Sequence, residues 1–226
     1  MKIKREELEH ILMKHKRWLK KEDGGMCADL SGANLSDADL AGVDLSGAIL
    51  VRANLVRADL TGAVLRNARL SGADLTDSNL SGADLSGAYL ARCDLVRANL
   101  SGAKLPDVNL VRANLSEADL IEAKLSGINL SNADLSNTDL SGAVMTDAIL
   151  ARADLTDAIL DNANLSRAYL ARADLYEADL VHANLSGANL TAANLSEADL
   201  TGADLTGAAL INADLTGTTW VDGTKK

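Results

Sequence analysis

The sequence predicts an all-β solenoid whose chain turns four corners in every coil, with an α-helix over its first coil. Two regularities predict this fold. From Leu30 to Leu215 every fifth residue is Leu, at 37 of 38 positions, and a small residue, usually Ala, stands two residues before each one. The composition agrees: five aromatic residues in 226 are few for a globular core, yet 47% hydrophobic residues are too many for a disordered chain.

The five-residue period requires the chain to bend once per repeat. On an α-helix, five residues advance about 500°, so the Leu side chains would spiral around every side. On a straight strand, an odd period would place successive Leu side chains on opposite faces. Corners of about 90° instead give a square coil of four repeats, and successive coils stack about 4.8 Å apart. The 39 repeats, including Met145 and Trp220, therefore form almost ten coils and a rod roughly 45 Å long.

The residues around each Leu suit these corners. Asp or Asn usually precedes the Leu, and their short side chains hydrogen-bond to nearby backbone groups in turns. Two small or polar residues follow the Leu, and Gly is frequent at the second of them. Gly at that position indicates a corner with a positive φ.

Units of the form Ala-Asp/Asn-Leu-x-x, such as Ala33 to Asp37 and Ala73 to Asp77, resemble the pentapeptide repeat family. The resemblance covers residues 26–220. It implies a right-handed quadrilateral β-helix, whereas the periodicity alone predicts only a square coil. It also implies that some relatives bind DNA gyrase or topoisomerase IV in place of DNA.

Each end of a solenoid needs a cover. Residues 1–25 are predicted to form an N-terminal amphipathic capping helix that ends at Gly24 and Gly25, with Trp18 and Leu19 over the first Leu layer. Its apolar face comprises Leu8, Ile11, Leu12, His15, Trp18 and Leu19. A helix that binds a partner or a membrane is the alternative, because its bases outnumber its acids. Trp220 is expected to plug the far end, before a tail over residues 221–226.

The sequence lacks the residue combinations of common catalytic and metal sites. Its three His residues cannot build a zinc site, and no base stands beside a nucleophile. We therefore expect no enzymatic activity and no cofactor. A net charge of −10 argues against direct nucleic-acid binding, and no apolar run is long enough to span a membrane. Cys27 and Cys93 lie about three coils apart, beyond disulfide reach, so we expect a reduced, cytoplasmic protein.

Positions one coil apart, which is four repeats along the chain, stack in columns and give four faces that we name after their first Leu. The Leu35 face has twelve acids and two bases, the Leu40 face has nine acids and no base, and the Leu45 face is nearly balanced. The acidic residues selected on the Leu35 face are Asp74, Asp77, Asp94, Glu117, Asp134, Asp154, Asp157, Asp174, Glu177 and Glu197.

The Leu30 face differs, because it carries six Arg residues against Asp29 alone and often replaces Asp or Asn by Ile or Tyr. Arginine with exposed aromatic and apolar side chains is typical of a binding surface. The candidate partner-binding residues are Ile49, Arg52, Arg69, Tyr89, Arg92, Arg112, Ile149, Arg152, Tyr169 and Arg172. The alternative is structural: corner salt bridges Arg92–Asp94, Arg152–Asp154 and Arg172–Asp174, with Ile and Val as strand formers.

Three functions follow. The first is a rigid, non-enzymatic scaffold that binds a protein partner of unknown identity through the Leu30 face. The second is a DNA mimic that presents its two acidic faces to a topoisomerase, although the chain lacks the interrupting loop and the dimerising C-terminal segment of such relatives. The third is a structural or engineered consensus array without a specific partner. A weak homodimer, with the basic face of one rod on an acidic face of another, is compatible with each.

Overall fold

The computed structural model describes residues 3–226 and places them in one helix and one solenoid. Helix α1 spans Arg5–Leu19. Within residues 3–226 no β-strand is longer than a single bridging residue, and the residue before each Leu forms a parallel bridge to the equivalent residue four repeats later. These bridges run from Asp29–Ile49 to Asp199–Thr219 in four columns. The square coil of four repeats is thus observed directly, whereas its handedness and the number of coils stay predictions. Residues 1 and 2 of the predicted cap lie outside the described residues.

Every corner is a tight turn. The carbonyl of Leu30 accepts a hydrogen bond from the N–H of Ala33 at 3.0 Å, and this i to i+3 bond recurs along the chain. The second central residue has a positive φ at each corner from Gly32 to Gly217, as in a type II turn. Gly fills 14 of these 38 positions, and Asp, Glu, Asn, Arg, His or Ala fills the other 24. Every corner therefore requires a positive φ at this position, whether or not the residue is Gly.

The Asp and Asn residues before each Leu hold the turns, as predicted. The Oδ1 atom of Asp29 accepts the backbone N–H of Ser31 at 3.0 Å and its hydroxyl at 2.6 Å. The same pair of contacts recurs at other corners, for example between Asn99 and Ser101. Because this bond satisfies a backbone donor at the corner, these acids contribute to the fold as well as to the surface charge.

The core consists of stacked layers of Leu and Ala. The inward Leu side chains from Leu30 to Leu200, with Met145 among them, are all buried. Polar residues at the small inward position are satisfied by Leu carbonyls: Ser78 donates to Leu75 at 2.6 Å, and Thr138 donates to the Leu115 carbonyl at 2.9 Å. Cys93 is buried as predicted, and burial raises the pKa of its thiol to about 12, which makes it inert.

Helix α1 lies against the first coil through four of the six residues predicted for its apolar face. Leu8, Ile11 and Leu12 pack against the core, and His15 is fully buried and accepts the backbone N–H of Ala28 at Nδ1, at 3.0 Å. Trp18 does not cover the Leu layer. It is 41% exposed and stacks on the His15 ring at a centroid distance of 5.4 Å. Its ring lies beside Gly47, at a corner of the first coil.

Leu19, the other predicted capping residue, is half-buried near the end of α1. The helix stops there, before the predicted Gly24, because the next residues form a Schellman motif. The N–H of Glu22 donates to the Arg17 carbonyl and that of Lys21 to the Trp18 carbonyl, with Lys21 at a φ of 56°. At the far end Trp220 is half-buried against the core, and the Lys226 ammonium lies 5.1 Å from its ring centroid.

Candidate partner-binding face

The predicted Leu30 face carries large exposed side chains in one column. Tyr89 is 55% exposed, Tyr169 is 47% exposed and Ile149 is 39% exposed. Ile49, near the cap, is half-buried. All six arginines are exposed: Arg52, Arg69, Arg92, Arg112, Arg152 and Arg172. The fold thus places the predicted aromatic and basic residues along one side of the rod.

The arginines of the other faces are all paired with carboxylates. Three of them bind an acid one coil earlier in the same corner column: Arg57–Asp37 at 2.8 Å, Arg97–Asp77 at 2.7 Å and Arg167–Asp147 at 2.8 Å. The fourth, Arg66, binds Asp84 at 2.7 Å. Hydrogen bonds from the arginines lower the pKa of Asp77 and Asp147. Within the repeats, an acid in the adjacent coil neutralises each of these arginines.

None of the six arginines on the Leu30 face has a carboxylate within ion-pair distance among residues 3–226. The three corner salt bridges considered as the structural alternative do not form. Their acids hold turns instead: Asp94 accepts the N–H of Val96 at 3.3 Å, and Asp154 and Asp174 accept backbone N–H groups at 3.0 and 3.1 Å. Within residues 3–226, no ion pair therefore neutralises any of these six arginines.

The residues stacked in each corner column explain why the arginines of the Leu30 face are unpaired and those of the other faces are paired. Five of the six arginines occupy one corner column, whose other positions hold Gly, Asn and Ala: Gly32, Gly72, Asn132, Ala192 and Asn212. No acid lies above or below them. The column of Arg57 and Arg97, by contrast, alternates them with Asp37, Asp77 and Glu117. The pairing of the arginines can therefore be predicted by comparing residues one coil apart in the sequence. The predicted salt bridges instead joined residues only two positions apart.

The Leu30 face also lacks some of the side-chain-to-backbone hydrogen bonds that hold the turns elsewhere. Where Tyr89, Tyr169 or Ile149 replaces Asp or Asn, the following turn has no side-chain acceptor for its N–H. Such a bond contributes about 1 kcal/mol to stability. Similar replacements occur on other faces, for example at Val64 and Val144, so the loss is tolerated. On this face alone it coincides with unpaired arginines.

A cleft lies at the C-terminal half of this face. It has a volume of about 340 Å³ and is lined by Ala151, Arg152, Tyr169, Ala171, Arg172, Asn189 and Thr191. The small Ala side chains leave room between the tyrosine ring and the two guanidinium groups. The cleft can therefore accept a flat or anionic group from outside.

The acidic Leu35 face divides into two kinds of residue. Half of its ten selected acids precede a Leu and hold turns through backbone N–H groups: Asp74, Asp94, Asp134, Asp154 and Asp174. The other half occupy exposed turn positions of positive φ: Asp77, Glu117, Asp157, Glu177 and Glu197. Asp77 pairs with Arg97, and Glu197 pairs with Lys225 at 3.3 Å. Fewer acids of this face are therefore free to contact a partner than the sequence predicted, because some hold turns and two form ion pairs.

Among residues 3–226, no group of three or more His, Cys, Asp or Glu side chains is arranged to hold a metal ion. No helix in this part of the chain is long and apolar enough to cross a membrane.

The sequence of the repeats matches one family model. The model of the pentapeptide repeats matches eight overlapping segments, from residues 28–67 to residues 183–219. The chain belongs to the pentapeptide repeat family. Among solved structures it is similar to HetL, a pentapeptide repeat protein involved in heterocyst differentiation regulation in the cyanobacterium Nostoc sp. strain PCC 7120. Identity to HetL is 36%, all of both chains is covered, and the TM-score is 0.59.

Two further pentapeptide repeat structures are similar over part of the repeats. One, from the cyanobacterium Cyanothece 51142, is 35% identical over 49% of this chain and 59% of its own, with a TM-score of 0.31. The other, the plasmid-mediated fluoroquinolone resistance protein QnrB1, is 22% identical over 84% of this chain and 90% of its own, with a TM-score of 0.35. No curated protein matches the chain with comparable significance.

Proposed function

We propose that the protein is a rigid, non-enzymatic scaffold that binds a protein partner through the Leu30 face. One observation carries the proposal: the arginines of this face are unpaired, whereas those of the other faces are paired with carboxylates. Exposed tyrosines beside these arginines support it, because Tyr and Arg are enriched where binding energy concentrates. The chain is also similar to HetL, which is involved in the regulation of heterocyst differentiation, and a binding function agrees with such a role.

A matched pair of variants tests the proposal by affinity capture from the native host. The first variant replaces Tyr89, Ile149 and Tyr169 by Ser. The control replaces Tyr176, Ile159 and Val144 by Ser, which removes similarly exposed side chains from the other faces. We expect the first variant to lose partners that wild type and the control retain. An unchanged set of captured proteins for the first variant would exclude the Leu30 face.

A second candidate is mimicry of DNA toward a topoisomerase. The exposed acids Glu117, Asp157 and Glu177 support it, because they stand at turn positions of positive φ where Gly would fit with less strain. A supercoiling assay with purified gyrase and topoisomerase IV tests it. Inhibition that disappears in the E117Q/D157N/E177Q variant is the expected result, and no effect of wild type at micromolar concentration would end this candidate.

A further inference from the structure

Two similar clusters lie along the Leu30 face. The sequence Tyr-Leu-Ala-Arg occurs at residues 89–92 and again at residues 169–172. Four successive bridges in one column connect Tyr89 to Tyr169, so the two copies are separated by four coils, which is about 19 Å at the stacking distance of β-structure. Each copy places an exposed tyrosine next to a corner arginine.

A second arginine completes each cluster from a neighbouring coil. Arg112 stacks one coil after Arg92, and Arg152 stacks one coil before Arg172. Both pairs bring like charges into adjacent coils with no carboxylate in ion-pair distance among the described residues. Around Tyr169 these two guanidinium groups border the cleft described above. Stacked, uncompensated arginines favour an anionic ligand, since guanidinium groups bind carboxylate and phosphate oxygens through paired hydrogen bonds.

The surroundings favour a narrow ligand over a long polyanion. The corner arginines border the Leu35 face, where the exposed acids Glu117, Asp157 and Glu177 would repel a ligand that extends around the rod. A nucleic-acid duplex carries closely spaced negative charges along its whole axis and would meet this acidic surface. A protein segment with a few local carboxylates would contact the arginines alone.

We propose, on the basis of the proposed function, that the two clusters bind two carboxylate groups of an acidic protein segment. The midpoint of Arg92 and Arg112 lies three coils from the midpoint of Arg152 and Arg172, so the two carboxylates are spaced about 14 Å apart. The first cluster is Tyr89, Arg92 and Arg112, and the second is Arg152, Tyr169 and Arg172. The tyrosine rings offer apolar contact next to each ion pair. Spacing along the rod then selects partners whose acidic groups match the distance between the clusters.

A defined peptide tests the inference. The probe is a fluorescent peptide with Glu-Glu-Glu at each end of a linker of about 7 Gly and Ser residues, whose mean end-to-end distance is about 14 Å. Fluorescence anisotropy at low ionic strength measures its binding to the full chain. We expect binding that weakens with added salt, and a loss of about tenfold in the R152Q/R172Q or the R92Q/R112Q variant. The R57Q/R97Q variant, which removes paired arginines, is the matched control and should bind as wild type does.

Other outcomes would overturn the inference. These are no binding by wild type, equal loss in the R57Q/R97Q control, or equal binding of a peptide with Gln in place of Glu. Tighter binding of a DNA duplex with the same arginine dependence would assign the clusters to nucleic acid. A dimer in sedimentation that the same arginine variants dissolve would assign them to a second copy of the chain. If the probe fails while the Leu30 face variant still loses its captured partner, the carboxylate inference fails and the proposed function stands.

Discussion

Replacing Leu110 by Ala tests how the solenoid is stabilised. Leu110 is fully buried in mid-rod, in one column with Leu90 and Leu130. The change removes three carbon atoms, which costs about 2.4 kcal/mol at about 0.8 kcal/mol per buried group. The neighbouring coils cannot move inward, because backbone hydrogen bonds such as Leu110 to Asn129, at 2.8 Å, fix their spacing. The cavity therefore persists, and we expect a total loss of about 3–5 kcal/mol.

The matched control is Leu210→Ala in the last coil, where the side chain is only half-buried. Its expected loss is about 1–2 kcal/mol, because fewer neighbours surround it. Urea unfolding followed by far-ultraviolet circular dichroism measures both variants. Equal losses for the two variants, or less than about 1.5 kcal/mol for Leu110→Ala, would refute a core of stacked, mutually dependent Leu layers.

Three further predictions concern the cap, the ion pairs and the corners. Burial lowers the pKa of His15 in the folded protein, whereas the unfolded chain keeps the ordinary pKa of 6.5. As the pH falls below 6.5 the unfolded chain therefore binds the proton more readily, and the melting temperature should fall for wild type but not for H15Q. Burial opposes ionisation of Asp84, but hydrogen bonds from Arg66 and Ser86 lower its pKa to about 2. The ionised carboxylate therefore stabilises the folded state by about 2 kcal/mol above pH 3.8, and this stabilisation should be lost as the pH falls toward 2. An NMR titration of Asp84, with unfolding measured at each pH, checks both statements. Gly62 has a φ of 62° and open space around it, so G62V should cost about 1–2 kcal/mol in urea unfolding, and G62N clearly less.

The sequence predicted the regular part of the fold well, because one physical constraint repeats in it. A period of five with Leu and Ala on the inside permits only a chain that turns at each repeat, and the bridges between residues four repeats apart confirm that geometry. The end of the cap helix was less predictable. The helix stops at Leu19 because Lys21 adopts a left-handed conformation, and Lys carries no sequence preference for that role. Exposure of Trp18 likewise depends on how α1 is rotated over the first coil.

The candidate face was predictable in composition but not in its charge pairing. Asp94, Asp154 and Asp174 stand two residues after arginines, which favoured local salt bridges in the sequence. The Oδ1 atoms of these acids accept backbone N–H groups, and within residues 3–226 none of the three acids forms an ion pair with an arginine. Pairing follows columns because corner side chains reach the adjacent coil, as Arg57 reaches Asp37. The chemistry of the face thus depends on neighbours one coil away.

The affinity of a captured partner for two triple variants tests the central claim most directly. One variant, R92Q/R152Q/R172Q, removes unpaired arginines from the Leu30 face, and the other, R57Q/R97Q/R167Q, removes paired ones. Isothermal titration should show binding weakened at least about tenfold by the first variant and changed less than about twofold by the second. Melting of the free proteins should show the reverse order, with stability lost only in the second variant. Unchanged affinity of the first variant, or equal weakening by both, would contradict the assignment of the Leu30 face as the binding surface.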